Sequence, residues 1–149
     1  MTTQDADATL FSIVMDLGDW LRIDGTMDNE LHNLQDKCRE RPPDRQDPYW
    51  VGLTDLAMSI RQAGWDQISD WPSTEGVQRW PVRFGRPAAI TLAARQWGFV
   101  VSALRRWADV TESIRQSDET ANSRRILTLV REELSRQGLA VVPAVRPDW

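Results

Sequence analysis

One cysteine, one histidine, one tyrosine and one lysine are all that 149 residues hold of those four types. A single thiol, Cys38, cannot close an internal disulfide, and the first residues show no basic region followed by an apolar run, so a reducing cytoplasm is the expected location. Cys38 and His32 stand six positions apart, about 120° from each other around a helix, and two such groups cannot supply the usual nucleophile, base and metal-ligand sets. Cys38 is expected as half-buried packing and His32 as a surface residue. The sequence also lacks the glycine loops GxGxxG and GxxxxGK[ST] that cradle phosphates. No catalytic residue, metal or cofactor is assigned, and a non-enzymatic protein is expected.

Long apolar runs are missing as well. The nearest approach, AAITLAARQWGFVVSAL at 88–104, carries Arg95 and Gln96 at its centre, where a charge costs ~2.5–3.5 kcal/mol on insertion scales. It reads as a buried helix, with no membrane partner. DGTMDNEL at 24–31 offers Gly25, Asp24 and Asp28 as in a calcium loop, but taking Gly25 as the sixth loop position puts Trp20, Arg22 and Leu31 where carboxylates are required. It reads as a helix-to-helix turn.

Concentrated positive charge is absent too. The net charge is −4, made of −6 over residues 1–48, 0 over 49–86 and +2 over 87–149. Duplex-binding proteins usually show a basic footprint, because neutralising phosphates supplies most non-specific affinity, so nucleic acid is disfavoured as a partner.

What is abundant is tryptophan, with eight copies, and arginine, which supplies every base but Lys37. GC-rich codon usage produces both biases, as in a bacterium or its phage. The length suits one domain, 1–149, large enough to bury a core without disulfides. No internal repeat is evident in the sequence.

The spacing Leu10, Ile13, Val14, Leu17, Trp20, Leu21 predicts an amphipathic helix over 8–23. Asp24-Gly25 should break it, and a second helix should run from Thr26 or Asp28 to about Arg39 with the stripe Met27, Leu31, Leu34, Cys38. Asp47 as N-cap and Pro48 at the first helical position start a third helix, with Leu53, Leu56, Ala57 and Ile60 inward and Gly64 as a left-handed cap. From Pro87 to Gln116 the apolar positions Ile90, Ala93, Trp97, Val100, Leu104, Trp107, Thr111 and Ile114 alternate steps of three and four, predicting a long central helix. In the stretch RQWGFVVSALRRW at 95–107 this spacing turns Arg95, Arg105 and Arg106 away from Trp97 and Trp107, so the tryptophans read as core rather than as a stacking surface for bases. A last helix should start at Ser117 or Asp118, bury Ile126, Leu127, Val130 and Leu134, and stop at Gly138. The fold class that follows is all-α: a single bundle of about five helices, with a Trp/Pro/Arg-rich connection at 64–87 and an apolar, non-helical tail at 139–149.

Two sets of residues are functional candidates. In RWPVRFGRP at 79–87, Arg79, Arg83 and Arg86 alternate with Trp80 and Phe84 just before the long helix, and guanidinium forks beside a helix N-terminus suit an anion or an unstacked base. The competing reading anchors Trp80 and Phe84 in the core and pairs the arginines with acids. The second set, Trp65, Trp71, Trp80, Phe84 and Trp149, holds the residue type most enriched at interface hot spots. The expected function is a protein–protein interaction module, a small accessory or adaptor subunit docked to a larger protein partner. The alternative is a nucleic-acid-binding subunit of a ribonucleoprotein using the arginine loop, with Arg105, Arg106, Arg124 and Arg125 as further candidates. A third reading places a small ligand between the helices near Trp97 or Trp107.

Overall fold

The computed structural model describes residues 8–68 and 86–147. Its elements are β1 (Leu10–Asp16), α1 (Leu17–Arg39), α2 (Pro48–Gln67), β2 (Pro87–Ala93), α3 (Ala94–Ser113) and α4 (Ser117–Arg136), with one 3-10 turn at Pro43–Arg45. The protein is mostly helical, as the sequence implies. Among the described residues there are four α-helices, not about five, and a two-stranded antiparallel sheet accompanies them.

Both missed strands have the same physical cause. In β2 the residues Ala88, Ile90 and Leu92 are buried while Ala89 and Pro87 are exposed, a period of two. Every residue of that segment except Thr91 is apolar or proline, so the alternation is masked and Ile90 and Ala93 also fit a helical seam leading to Trp97. The long helix therefore begins at Ala94, not Pro87, and ends at Ser113. In β1, Ile13 and Met15 face inward and Leu10 and Val14 outward, so the expected helix at 8–23 is a strand followed by the first turns of α1.

No break follows at Asp24-Gly25. Helix α1 runs unbroken for 23 residues, with Trp20, Ile23, Met27, Leu31 and Leu34 all buried. A Cβ at Gly25 would meet nothing within 4 Å, so this glycine performs no turn, and continuous burial along one face outweighs its cost of roughly 1 kcal/mol. The helix start is set by Asp16, whose carboxylate accepts from Gly18 N at 2.9 Å. At the equivalent start of α3, Gln96 Oε1 accepts from Ala93 N at 2.8 Å.

The other boundaries agree with the sequence. Asp47 caps α2 by accepting from Tyr49 N at 2.9 Å, and Gly138 ends α4 at φ 102°, a conformation that favours glycine. Gly64 is different: it lies inside α2, and a Cβ there would fall 2.5 Å from Trp20 Nε1. Its role is to let the Trp20 indole lie against the α2 backbone. The described part of the tail, 139–147, is non-helical, as expected, but it is anchored. Val145 is buried with the core, the Tyr49 hydroxyl donates to Arg146 O, and Pro143 O comes so close to α3 that a Cβ at Gly98 would sit 2.4 Å from it.

The chain folds as two copies of one β-α-α unit, a repeat the sequence does not reveal. Strand and first helix recur 77 residues later, from Leu10 to Pro87 and from Leu17 to Ala94. Trp20 and Trp97, at this separation, are both fully buried. The register pairs Ile13 with Ile90, also 77 apart, so the ribbon has a local twofold axis between them. The ladder continues symmetrically into both helices, with Leu17 N donating to Arg86 O at 2.8 Å and Ala94 N to Thr9 O at 2.9 Å. Within each unit the two helices pack together, and each strand also meets the second helix of the other unit. Neither unit covers its own strand alone, and this interlocking makes the two a single body. Among the described residues no helix is long and apolar enough to cross a membrane.

Candidate functional site

The ribbon's outer face is one place where the fold leaves chemistry uncommitted. Its inner residues Ile13, Met15, Ala88, Ile90 and Leu92 are buried, which turns Leu10, Ser12, Val14, Ala89, Thr91 and Ala93 outward in cross-strand pairs. Leu10 is 66% exposed and Val14 62%. None of those six residues is charged; the fourth pair on that side, Asp16–Pro87, carries a carboxylate that caps α1.

Each edge of the ribbon, in contrast, is partly covered by one side chain. Because Leu17–Arg86 and Thr9–Ala94 are hydrogen-bonded pairs, alternation makes Ser12–Thr91 a non-bonded pair with its backbone groups pointing outward. Gln67, the last residue of α2, satisfies Thr91 twice: its Nε2 donates to Thr91 O at 2.8 Å and its Oε1 accepts from Thr91 N at 2.7 Å. Gln137 Nε2, at the end of α4, donates to Ser12 O at 2.7 Å. A glutamine thus occupies each edge where a foreign strand would add.

The second place is the crossing of α1 and α3. Glu30 and Trp107 are again 77 positions apart, equivalent residues of the two units, and they bond to each other: Trp107 Nε1 donates to Glu30 Oε1 at 2.7 Å. Arg106 donates to the same oxygen and its guanidinium lies 5.8 Å from the centre of the Trp107 ring. Arg95 and Arg105 do turn to solvent, but Arg106 lies on the tryptophan side, which corrects the reading that all three point away. Trp97 is core, with Nε1 donating to Phe11 O at 2.9 Å. Glu30 is 1% exposed, and this burial pushes its carboxyl above the usual range against the opposing pull of Arg106 and the Trp107 bond.

Beside Glu30 opens a cavity of about 400 Å³. Phe99, Ala103, Val145 and Pro147 give it apolar walls, and Arg105, Arg106 and Arg146 supply cations. Arg106 is held by Glu30. Among the described residues no carboxylate pairs with Arg105 or Arg146.

Other charged groups act in packing. Arg125 makes a two-pronged bond to Asp19, at 2.7 and 2.9 Å, joining α4 to the start of α1. Arg61 joins α2 to α1 through Asp24 at 3.1 Å and Asp28 at 2.7 Å. Burial raises the Asp24 carboxyl, with Arg61 opposing it. Among the described residues no group of three or more His, Cys, Asp and Glu side chains is arranged to hold a metal ion. His32 is exposed and Cys38 half-buried.

The candidates read from the sequence fare unevenly. Arg79, Arg83, Trp71, Trp80, Phe84 and Trp149 lie outside the described residues. Arg86 is exposed and its carbonyl is used by the ladder. Trp65 is half-buried on α2, with the Arg61 guanidinium 5.2 Å from its ring centre. Of the four helical arginines considered for nucleic acid, Arg106 is committed to Glu30, Arg124 to Glu112 at 2.5 Å, and Arg125 to Asp19. Sequence reasoning missed Leu10 and Val14 as surface residues, because both fit a helical stripe. It also missed Glu30, which no local pattern distinguishes from the other acids of α1.

Comparison with known protein families, curated proteins and solved structures finds no match to this chain.

Proposed function

We propose that this protein is a non-enzymatic interaction module, an accessory subunit that docks to a larger protein partner through the outer face of its β-ribbon. The observation that carries the proposal is the exposure of Leu10 and Val14 among three uncharged outward pairs of the sheet, with Gln67 and Gln137 each bonded to the middle of one edge. Burying a side chain of this size stabilises a complex by roughly 1.5–3 kcal/mol. A glutamine already bonded to the middle of each edge favours contact by the face over strand addition, and the uncharged Leu10–Ala93, Ser12–Thr91 and Val14–Ala89 pairs suit an apolar partner surface. A ribbon that reads a nucleic-acid groove needs cations or amides facing outward, and these six positions carry neither.

The test is capture from nuclease-treated lysate of the cells that express the protein, comparing the native chain with a Leu10→Asp/Val14→Asp double variant. Both substitutions fall on exposed positions, so the fold should persist, as checked by circular dichroism. A stoichiometric protein partner held by the native chain and lost with the variant supports the proposal. A partner retained by the variant, or material removed entirely by nuclease, refutes it.

A further inference from the structure

We infer that the cavity between α3 and the tail is a binding site for a small zwitterion, an amino acid with an aromatic side chain. Three features of the cavity converge on that class. First, Arg105 and Arg146 contribute guanidiniums with no carboxylate partner among the described residues, and a guanidinium fork matches a carboxylate in two-pronged geometry.

Second, Glu30 is buried, yet both of its donors, Arg106 and Trp107, reach the same oxygen, Oε1. No donor from the described residues reaches Oε2, and Glu30 lines the cavity. Oε2 keeps access to the cavity rather than being sealed in, and an ammonium group there is a donor of the right charge. Asp109, also on the lining, adds a second acceptor.

Third, Phe99, Val145 and Pro147 form apolar walls between these polar ends. A volume of about 400 Å³ is at the lower end of the range for small-molecule sites, which suits one ring and its backbone. The site depends on the anchored tail: Tyr49 bonded to Arg146 O and Pro143 seated on Gly98 hold Val145 and Arg146 against α3.

The Trp107 indole, bonded to Glu30, reports on occupancy. In the full chain labelled with ¹⁵N, its indole N–H resonance is assigned by comparison with Trp107→Phe and followed while phenylalanine is added. The expected result is a saturable shift. Phenylalaninamide, which lacks the carboxylate, and 3-phenylpropanoate, which lacks the amine, should each bind weaker by about tenfold or more, the worth of one charge-assisted contact. Arg105→Gln, at an exposed position, should weaken phenylalanine to a similar degree and leave the amide unaffected, with an unchanged melting curve. No saturable shift with phenylalanine, equal binding of the three compounds, or an Arg105→Gln variant that binds phenylalanine as the native chain does would each overturn the inference. Because the cavity and the ribbon's outer face are separate surfaces, either proposal stands or falls without the other.

Discussion

Two glycines of one helix should respond with opposite sign to the same substitution. Gly52 and Gly64 both lie in α2, and replacing a helical glycine with alanine ordinarily stabilises by about 0.5–1 kcal/mol through backbone entropy. At Gly52 the added methyl meets nothing within 4 Å, so the gain is realised in full. At Gly64 the methyl would lie 2.5 Å from Nε1, 2.7 Å from Cζ2 and 2.8 Å from Cε2 of Trp20. Trp20 is fully buried within the hydrophobic core, so its indole cannot move aside without disturbing buried neighbours. Overpacking of this kind costs about 1–3 kcal/mol, enough to cancel the entropic gain or exceed it. Urea unfolding of the two variants should give a higher midpoint for Gly52→Ala and a lower one for Gly64→Ala, with similar slopes. A Gly64→Ala variant as stable as Gly52→Ala would refute the close packing of Trp20 on α2.

Other consequences are equally direct. Glu30 and Asp24 both titrate higher folded than unfolded, so the stability each contributes is fully present below its unfolded pKa and is lost as pH rises through the folded one. Glu30→Gln removes one such group, and its stability relative to the native chain should therefore be greatest near neutrality and decline as pH falls through the raised Glu30 value; urea midpoints at several pH values check this, and an opposite trend would contradict the buried carboxyl. Gln67→Ala with Gln137→Ala should cost roughly 1 kcal/mol per lost edge contact and open both sheet edges. Light scattering should then show concentration-dependent association that the native chain does not show, and an equally monodisperse double variant would deny the glutamines their role.

How far the sequence reaches is set by where one periodicity excludes the other. Helix α4 and the start of α2 were legible almost to the residue, because Gly138 and Asp47-Pro48 mark those ends and polar residues separate the stripes, whereas α2 runs past the expected cap at Gly64 to Gln67. The strands were not, since in PAAITLA nearly every position is apolar and in LFSIVMD the outward Leu10 and Val14 are as apolar as the inward Ile13 and Met15. Their alternation is decided by cross-strand partners 71 to 83 residues away, which no local window contains. The repeat was hidden for a related reason: buried positions such as Met27 and Leu104 or Leu31 and Ala108 share only apolar character, and Glu30 stands opposite Trp107. The sequence did place Trp97 in the core and raised the idea of a ligand near Trp107. It could not show that the residues lining the cavity, Glu30, Arg105 and Arg146, come from α1, α3 and the tail, because only the packing brings them together.

The most direct test of the docking proposal is a photo-crosslink from the ribbon itself. A benzophenone-bearing residue at position 14, compared with the same group at the exposed apolar positions 51 and 110 on the helices, should be irradiated in the cells that express the protein. The account predicts one discrete protein adduct from position 14 and none from positions 51 and 110. Adducts from the helical positions with none from position 14 would contradict it.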